Sequence, residues 1–210
     1  FTTAAERLGN PNERCDAGAL DISDTDALNN ALNGAHLVIS MVPAHMHLNV
    51  AKACLKHKSH LVTASYLTPE MRELDQAAQD NGLVFLNECG LDPGIDHMSA
   101  ARLLDGIRND GSEIVLLESF TGGLLSPESE GKNPWRYKFT WNPRNVVLAG
   151  QGGAVKFIQE GKYKYIPPHM VFRRTELMDV EGYGRFEGLA NRDSLKYRKA
   201  YGLEKAATLY

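Results

Sequence analysis

The residues best suited to chemistry in this 210-residue chain lie in residues 87–97, which hold Asp92 and Asp96 among two glycines and a proline. The apolar run before them, residues 83–86, predicts a buried strand that cannot pass directly into a helix, because the glycines and the proline interrupt it. Loops at the carboxyl ends of parallel strands form the ligand crevice of an α/β sheet. The two carboxylates are therefore candidate site residues. The alternative is an ordinary strand-to-helix turn in which Asp96 caps the helix.

Four short apolar runs, each followed by a helical pattern, must position this loop. They are residues 18–22, 37–42, 61–64 and 83–86. Continuously apolar strands that alternate with single helices are typical of a parallel sheet covered on both faces. Residues 1–96 therefore predict an α/β fold with a partial doubly wound, Rossmann-type parallel sheet.

Helix signals separate these strands. Ser23 or Asp24 can cap the first helix, and Thr68 followed by Pro69 starts the third. The predicted buried positions are Leu28, Ala31 and Leu32 in the first helix, Met46, Val50 and Cys54 in the second, and Met71, Leu74 and Ala78 in the third.

Residues 97–210 have a different pattern, in which short strands, turns and aromatic residues mix. Asp96 is predicted to cap a helix with Ala100, Leu103, Leu104 and Ile107 facing inward, and strands are predicted at residues 113–120, 154–158 and 162–166. This half predicts an α+β mixed-sheet substrate lobe. The chain thus divides into a dinucleotide-binding domain at 1–96 and a substrate-binding or dimerisation lobe at 97–210.

A dinucleotide-binding domain normally opens with a strand and the motif Gly-x-Gly-x-x-Gly, whose backbone and helix N-terminus hold the pyrophosphate. This chain has no such motif, and the glycine cluster at residues 150–153 follows no apolar strand, so it is interpreted as a turn. The chain begins at Phe1 with neither an initiator Met nor a leader pattern. We therefore expect it to be a piece of a longer protein whose first β-α-β unit precedes Phe1.

Composition excludes several classes of partner. The net charge of −3 gives no basic surface for nucleic acid, and no apolar run approaches the ~20 residues that span a membrane. The cysteines and the paired histidines have no metal-ligand spacing; they are Cys15, Cys54, Cys89, His45, His47, His57 and His60. A small-molecule ligand in a reduced, cytoplasmic compartment is the expectation, without a metal. A homodimer is one option that the sequence leaves open.

Six separated motifs occur in the order and at the approximate spacing of one known family. They are LVIS (37–40) with VP (42–43), VTASY (62–66), NE (87–88) with GLDPGIDH (90–97), GGL (122–124) with PE (127–128), NP (133–134) with YKF (137–139), and NRDS (191–194). These motifs resemble those of saccharopine dehydrogenase of the NADP-dependent, L-glutamate-forming type. The same enzyme also occurs fused to lysine-ketoglutarate reductase, an arrangement that the chain alone leaves open.

The resemblance implies that NADP binds the Rossmann domain and that saccharopine binds between this domain and the inserted lobe. The cofactor-binding positions that it implies are Asp21 and Ile22 near the adenine, Val42 and Pro43 along the nicotinamide half, Ala64 and Ser65 beside the cofactor, Leu91 where cofactor and substrate meet, and Asn142 as a small polar contact. The substrate-binding positions are Ser65, Tyr66, Asp92 and Arg192. Asp92 and Tyr66 are also the expected catalytic residues.

The chain departs from the family pattern in three places. The glycine fingerprint is expected before Phe1, and the family's Arg-Gly-Thr segment is expected after Tyr210. Thr121 stands where the family commonly has Cys, which argues against an essential thiol there. We therefore expect this chain alone to bind NADP weakly and to be inactive.

Physical chemistry gives these positions independent roles. Saccharopine carries three carboxylates, which an Arg fork such as that of Arg192 binds in a bidentate manner. Hydride transfer from the carbon beside its amine requires a neutral nitrogen, so protons must be moved. A positioned carboxylate or phenol, such as Asp92 or Tyr66, can move them directly or through water. The structural alternatives are a solvated arginine, a loop-bracing aspartate and a half-buried aromatic side chain.

Two other functions stay open at this stage. One is a carboxyspermidine-type dehydrogenase, and the other is a non-catalytic NADP-binding module. The direction of flux, the oligomeric state and the choice between NADP and NAD also stay open.

Overall fold

The structure is a computed structural model that describes residues 17–129, 131–135, 137–140, 142–149 and 153–210. The chain divides into two compact units, Phe1–Arg102 and Leu103–Tyr210. Cys15 and most of the predicted turn at 150–153 lie outside the described residues.

The first unit contains a parallel sheet of three strands, β1 (Leu37–Ser40), β2 (His60–Thr63) and β3 (Phe85–Leu86). Their order in the sheet is their order in the chain, with Leu37 opposite His60 and Leu61 opposite Phe85. The predicted parallel sheet is therefore confirmed. β3 is shorter than predicted because the Val84 N–H donates to the His60 Nδ1 atom rather than to a neighbouring backbone carbonyl.

Among the residues that the structure describes before residue 95, four helices accompany this sheet. They are α1 (Thr25–Leu32), α2 (His47–His57), α3 (Pro69–Arg72) and α4 (Asp75–Asp80), and a 3-10 turn, Ala44–Met46, leads into α2. Asp24 caps α1 by accepting from the N–H groups of Asp26 and Ala27, and Thr68 caps α3, as predicted. The third predicted helix is split in two where the Leu74 N–H bonds to the Met71 carbonyl, a 3-10 contact.

The core of the first unit lies between its helices and one face of the sheet. Its buried members are Leu28, Leu32, Val50, Ala51, Ala53, Cys54, Leu61 and Met71. This list confirms most of the predicted buried positions in the three helices. The prediction was wrong for Ala31, which is exposed on the other side of α1.

The strand predicted before α1 is absent. Residues 18–22 form no strand, and the chain turns at their end, where the Asp21 carbonyl accepts the N–H of Asp24 at 3.1 Å and the Asp21 side chain accepts the N–H of Ser23 at 2.9 Å. Within the described residues one face of the sheet is exposed, and cover on both faces stays a prediction. Neighbouring side chains of a strand point to opposite faces, and Ile39 (67% exposed) and Leu86 lie opposite the face that carries buried Leu61 and Thr63.

Helix α5 (Ile95–Asn109) follows the loop at residues 87–97. Leu104 is buried as predicted, but Leu103 is 60% exposed and faces away from the core. Asp96 is not the predicted N-cap, since it lies inside the first turn of α5 and its Oδ1 atom accepts the N–H of Gly94 at 2.8 Å.

The second unit contains a mixed sheet and a separate hairpin. The mixed sheet has the order β4 (Leu116–Leu117), β9 (Thr208–Leu209), β5 (Val155–Gln159), β6 (Lys162–Ile166), and the hairpin joins β7 (Thr175–Val180) to β8 (Gly184–Leu189). The β4–β9 pair is parallel, whereas β5 is antiparallel to β6 and β9. The α+β mixed-sheet character is therefore confirmed.

Short helices complete this unit. They are α6 (Pro143–Ala149), α7 (Tyr197–Ala200) and 3-10 turns at Pro127–Ser129, Pro168–Arg173 and Ser194–Lys196. Buried side chains form two groups, Leu104, Ile158, Leu203, Ala206 and Leu209 in one and Val155, Phe157 and Ile166 in the other. In the parts of the chain that the structure describes, no helix combines the length and apolarity of a membrane span.

Candidate functional site

Seven of the predicted site residues follow the carboxyl ends of β1, β2 and β3. They are Val42 and Pro43 after β1, Ala64, Ser65 and Tyr66 after β2, and Leu91 and Asp92 after β3. Because the strands are parallel and adjacent, their carboxyl ends meet at one edge of the sheet. The structure therefore gathers these residues on neighbouring loops of one unit.

Backbone hydrogen bonds attach the loop at residues 87–97 to the end of β2. The N–H of Cys89 donates to the Thr63 carbonyl, and the N–H of Glu88 donates to the Ser65 carbonyl, both at 3.0 Å. In return, the Glu88 Oε1 atom accepts the N–H of Leu67 at 2.9 Å. These bonds fix the loop that carries Asp92 against the segment that carries Tyr66.

Two glycines close this loop on itself. The N–H of Gly90 donates to the Pro93 carbonyl at 2.9 Å, and the Gly90 carbonyl accepts from Ile95 at 3.0 Å. Gly94 has a φ of 151°, and a Cβ atom there would lie 2.1 Å from the Gly90 carbonyl oxygen. No side chain fits at that distance, so residue 94 must be glycine for the loop to keep its path.

Tyr66 and Asp92 form a direct pair across the two loops. The Tyr66 hydroxyl donates to the Asp92 Oδ1 atom at 2.9 Å, and the Tyr66 side chain is 41% exposed. The adjacency of these residues was predicted and is confirmed, while their catalytic roles stay predictions. A phenol that donates to an exposed carboxylate can hold or pass on a proton at a site that a ligand can reach.

A buried histidine that the sequence interpretation missed lies behind this pair. His47 is 4% exposed, its Nδ1 atom lies 2.9 Å from Ser40 Oγ, and its Nε2 atom lies 2.8 Å from Ser65 Oγ. Burial lowers the pKa of His47 because desolvation disfavours the charged ring. A signal existed, since His47 has helical spacing with the buried residues Val50 and Cys54.

The residues expected near the adenine lie in the turn before α1. The Asp21 Oδ1 atom accepts from the Ser23 hydroxyl at 2.7 Å and from the Ser23 N–H at 2.9 Å, and these bonds lower the pKa of Asp21. Asp21 is exposed and Ile22 is half-buried. The turn therefore presents a carboxylate to solvent. Asp21 bonds to Ser23 and does not form part of the Tyr66–Asp92 pair.

The strand ends fit the nicotinamide half of a dinucleotide in one respect. Leu91 is 71% exposed and Met41 is exposed beside Val42, so apolar side chains border the strand-end loops where a planar ring could pack. The chain has no Gly-x-Gly-x-x-Gly cradle for the pyrophosphate. No group of three or more metal-ligating side chains occurs among the described residues.

Arg192 and Asn142 belong to the second unit. Arg192 has a φ of 47°, and its carbonyl accepts the N–H of Lys156 at 2.8 Å. The Lys156 Nζ atom lies 3.6 Å from Asp193 Oδ2, and Asp193 Oδ1 accepts the N–H of Leu195 at 3.1 Å. The backbone of the Arg192 loop is thus held to β5, and the Arg192 side chain is exposed. Asn142 directly precedes α6 and is also exposed.

These features define a class of protein. The first unit is a Rossmann-like α/β domain with polar residues gathered at the carboxyl ends of its strands, and the second unit is an α+β lobe. This combination is typical of enzymes that bind a dinucleotide on one domain.

Comparison with known proteins defines the family. Residues 2–86 match the family model for the saccharopine dehydrogenase NADP binding domain, and residues 90–210 match the model for the saccharopine dehydrogenase C-terminal domain. The chain belongs to the saccharopine dehydrogenase family, and the resemblance stated from its motifs is confirmed.

Individual relatives agree with this assignment. The chain is 39% identical over 189 residues to saccharopine dehydrogenase [NADP(+), L-glutamate-forming] of Pyricularia oryzae, covering 90% of this chain and 41% of that protein. The Schizosaccharomyces pombe protein of the same name is 37% identical over 201 residues, covering 96% of this chain and 44% of its own length.

A solved structure extends the likeness to three dimensions. Apo histidine-tagged saccharopine dehydrogenase (L-Glu forming) from Saccharomyces cerevisiae matches with a TM-score of 0.87 at 33% identity, covering 100% of this chain and 46% of that one. The chain therefore spans less than half the length of these relatives.

Proposed function

We propose that the complete natural protein containing this chain is an NADP-dependent oxidoreductase of lysine metabolism. It interconverts saccharopine, NADP⁺ and water with L-glutamate, 2-aminoadipate 6-semialdehyde and NADPH. The names of the relatives and the NADP-binding family model over residues 2–86 support this proposal. The structural observation that carries it is the 2.9 Å hydrogen bond between Tyr66 and Asp92 at neighbouring strand ends.

Proton transfer is the first task of this pair. The nicotinamide of NADP, when bound, accepts a hydride from the carbon beside the secondary amine of saccharopine. This carbon releases hydride readily only if the amine nitrogen is neutral, so a base must hold the ammonium proton. The Asp92 carboxylate can accept that proton directly or through the Tyr66 hydroxyl that donates to it.

The same pair can serve the later steps. Loss of hydride leaves a carbon–nitrogen double bond in the substrate, and water must add to its carbon before glutamate can leave. Water gives up a proton as it adds, and the departing nitrogen takes one up. Because Tyr66 and Asp92 are both exposed and hydrogen-bonded, they can remove the first proton and return the second.

Arg192 supplies carboxylate recognition in this proposal. Saccharopine and both products are carboxylates, and a guanidinium pairs with a carboxylate through two parallel hydrogen bonds. The Arg192 side chain is exposed, whereas its backbone is fixed through Lys156 and Asp193. A fixed backbone with an exposed fork suits the binding of an anionic ligand.

The remaining assignments are part of the same proposal. Asp21, Ile22, Val42, Pro43, Ala64, Ser65, Leu91 and Asn142 would contact the cofactor, and Ser65, Tyr66, Asp92 and Arg192 the substrate. Residues 1–96 would form the cofactor domain and residues 97–210 the substrate lobe. A homodimer in the cytoplasm completes the proposal, and the unpaired cysteines Cys54 and Cys89 support a reducing compartment.

Steady-state turnover of the complete natural protein tests this function. Saccharopine and NADP⁺ should give NADPH by absorbance together with glutamate and the semialdehyde by mass spectrometry, and NAD⁺ serves as the comparison cofactor. Turnover of carboxyspermidine but not of saccharopine would contradict the substrate assignment. NADP binding by calorimetry without turnover of either amine would contradict the enzymatic assignment.

A further inference from the structure

Three polar side chains form a continuous hydrogen-bonded row from the interior of the first unit to its surface. Ser40 at the end of β1 is 3% exposed and His47 at the start of α2 is 4% exposed, while Ser65 after β2 is half-buried. His47 lies between the two serines, with Nδ1 at 2.9 Å from Ser40 Oγ and Nε2 at 2.8 Å from Ser65 Oγ. The inner end of this row is closed to solvent and the outer end is open to it.

The need of buried polar groups for hydrogen-bond partners determines which atom donates to which along this row. A buried hydroxyl must donate its proton or lose the free energy of a hydrogen bond. Among the described residues, the His47 Nδ1 atom is the acceptor within reach of the Ser40 hydroxyl. The Ser40 O–H therefore donates to Nδ1. The proton of the neutral imidazole then sits on Nε2, and Nε2–H donates to Ser65 Oγ.

This direction determines what Ser65 presents to a ligand. Because Ser65 Oγ accepts from His47, its own proton is not used in the row and can point outward. An outward hydroxyl proton is a donor, and the ligand group that it suits is an oxygen with negative charge. The reverse tautomer would make Ser65 donate inward and present lone pairs, which repel a carboxylate.

We propose that His47 is a positioning residue for substrate binding: as the neutral Nε2–H tautomer, it orients the Ser65 hydroxyl to donate to a carboxylate oxygen of the amino-acid substrate. This inference rests on the proposed function, in which Ser65 contacts the substrate, and it adds a residue that sequence patterns did not assign. His47 itself touches no reacting atom. Its contribution is to the orientation of a donor and not to proton transfer.

Two conservative variants separate the two nitrogens of the ring. In His47→Gln, the side-chain amide can occupy the Nε2 position and still donate to Ser65. In His47→Asn, the shorter side chain reaches only the Nδ1 position beside Ser40. His57 on the same helix offers a matched control. Its Nε2 atom lies 2.9 Å from Asn29 Oδ1, and it forms no part of the row of Ser40, His47 and Ser65. His57→Gln and His57→Asn should have the same KM for saccharopine.

In the complete natural protein, the two His47 variants are expected to differ in their KM for saccharopine. The KM for saccharopine should rise about tenfold in His47→Asn and in Ser65→Ala, the scale of one charged hydrogen bond, and less than about threefold in His47→Gln. In the two His47 variants, the kcat and the Kd for NADP should stay within about threefold, because the lost bond affects substrate and transition state equally. Adding Ser65→Ala to His47→Asn should cost little more, since both remove the same donor.

Other results would overturn the inference. Equal KM values for soluble, folded His47→Gln and His47→Asn would assign His47 a purely structural role, and a rise in the Kd for NADP alone would exclude the substrate carboxylate. Long-range ¹H–¹⁵N correlation spectra of the wild-type protein test the tautomer without turnover or mutation, and a protonated Nδ1 would refute it. Absence of saccharopine turnover in the wild type would instead refute the proposed function, and the spectra would still decide the tautomer.

Discussion

The charge of Asp92 can be removed with little change in shape by Asp92→Asn. In the structure, Asp92 Oδ1 accepts the hydroxyl of Tyr66 at 2.9 Å, and the amide oxygen of an asparagine can accept the same bond. The substitution therefore retains the contact between the two loops and removes the carboxylate that could take a proton. It tests the chemistry of the site more than its folding.

The exposure of the pair sets the expected changes in stability and in kcat. Because the pair is exposed, weakening its hydrogen bond should lower the free energy of unfolding by less than about 1 kcal/mol. If the carboxylate takes part in proton transfer, kcat should fall by about a hundredfold or more, which corresponds to about 2.7 kcal/mol in the activation barrier. The acidic limb of the pH–rate profile should shift as well.

The assay compares kcat at saturating saccharopine with the unfolding free energy of the same complete protein. Asp80→Asn is the matched control, because Asp80 Oδ1 accepts a side-chain hydrogen bond from Gln76 at 2.8 Å on an equally exposed surface. That control should retain kcat and lose a similar, small amount of stability. If Asp92→Asn retains kcat within about threefold, the catalytic assignment is refuted.

Three further predictions follow from the described contacts. Arg192→Lys should raise the KM for saccharopine about tenfold to a hundredfold without changing NADP affinity, whereas Arg185→Lys, which breaks an exposed fork to a protein carboxylate, should change neither. Gly94→Ala should lower the unfolding free energy by about 2 to 4 kcal/mol, because its Cβ has no space, while Gly106→Ala in open helix surface should raise it by about 0.5 to 1 kcal/mol. Burial lowers the pKa of His47 in the folded protein, so the unfolded chain binds the proton first as the pH falls. The free energy of unfolding should therefore decrease below about pH 6.5. Thermal unfolding at several pH values should show this decrease in the wild type and a smaller one in His47→Gln.

Each of these predictions has a contradicting outcome. An unchanged KM in Arg192→Lys would return that arginine to the solvated surface. Equal stability changes in Gly94→Ala and Gly106→Ala would mean that the loop can move away from a new Cβ. Identical pH dependence of unfolding in the wild type and in His47→Gln would mean that the His47 ring titrates alike in the folded and unfolded chains.

Much of the first unit could be predicted from periodicity and capping. The apolar runs that became β1 and β2, the caps Asp24 and Thr68, and the buried face with Val50 and Cys54 all follow local rules. Periodicity could not show that residues 18–22 would form no strand and would lead into a turn in which the Asp21 side chain accepts the N–H of Ser23. Nor could it show that Ile39 and Leu86 are exposed among the described residues, because an apolar run predicts that both faces are covered and does not show which part of the chain covers each.

The second unit was harder to predict for a physical reason. Its hairpin, β7 with β8, is mostly exposed, so Thr175–Val180 and Gly184–Leu189 lack the alternation that burial of one face would impose. The predicted strand at 113–120 contracts to Leu116–Leu117, because among the described residues it pairs with β9, a strand of two residues near Tyr210. Long-range pairing set both outcomes, and local patterns do not record it.

In the candidate site, too, one part could be predicted from local patterns and another part could not. The adjacency of Tyr66 and Asp92 could be predicted, because parallel strands bring their carboxyl ends to one edge and the chain order places the two loops side by side. The role of His47 could not, since its partners Ser40 and Ser65 lie 7 and 18 residues away and are chosen by side-chain direction. A scan for metal ligands passes over a histidine whose partners are hydroxyl groups.

Burial separates the two polar groups of this site and gives them different experimental signatures. Tyr66 and Asp92 are exposed, so water can replace their mutual bond and their loss should affect turnover far more than stability. Ser40 and His47 are buried, so removing either leaves a polar partner without water and should affect stability as well as substrate binding. The ratio of lost transition-state stabilisation to lost folding stability should therefore be high for the exposed pair and low for the buried row. A site in which both groups merely braced the loops would show no such difference.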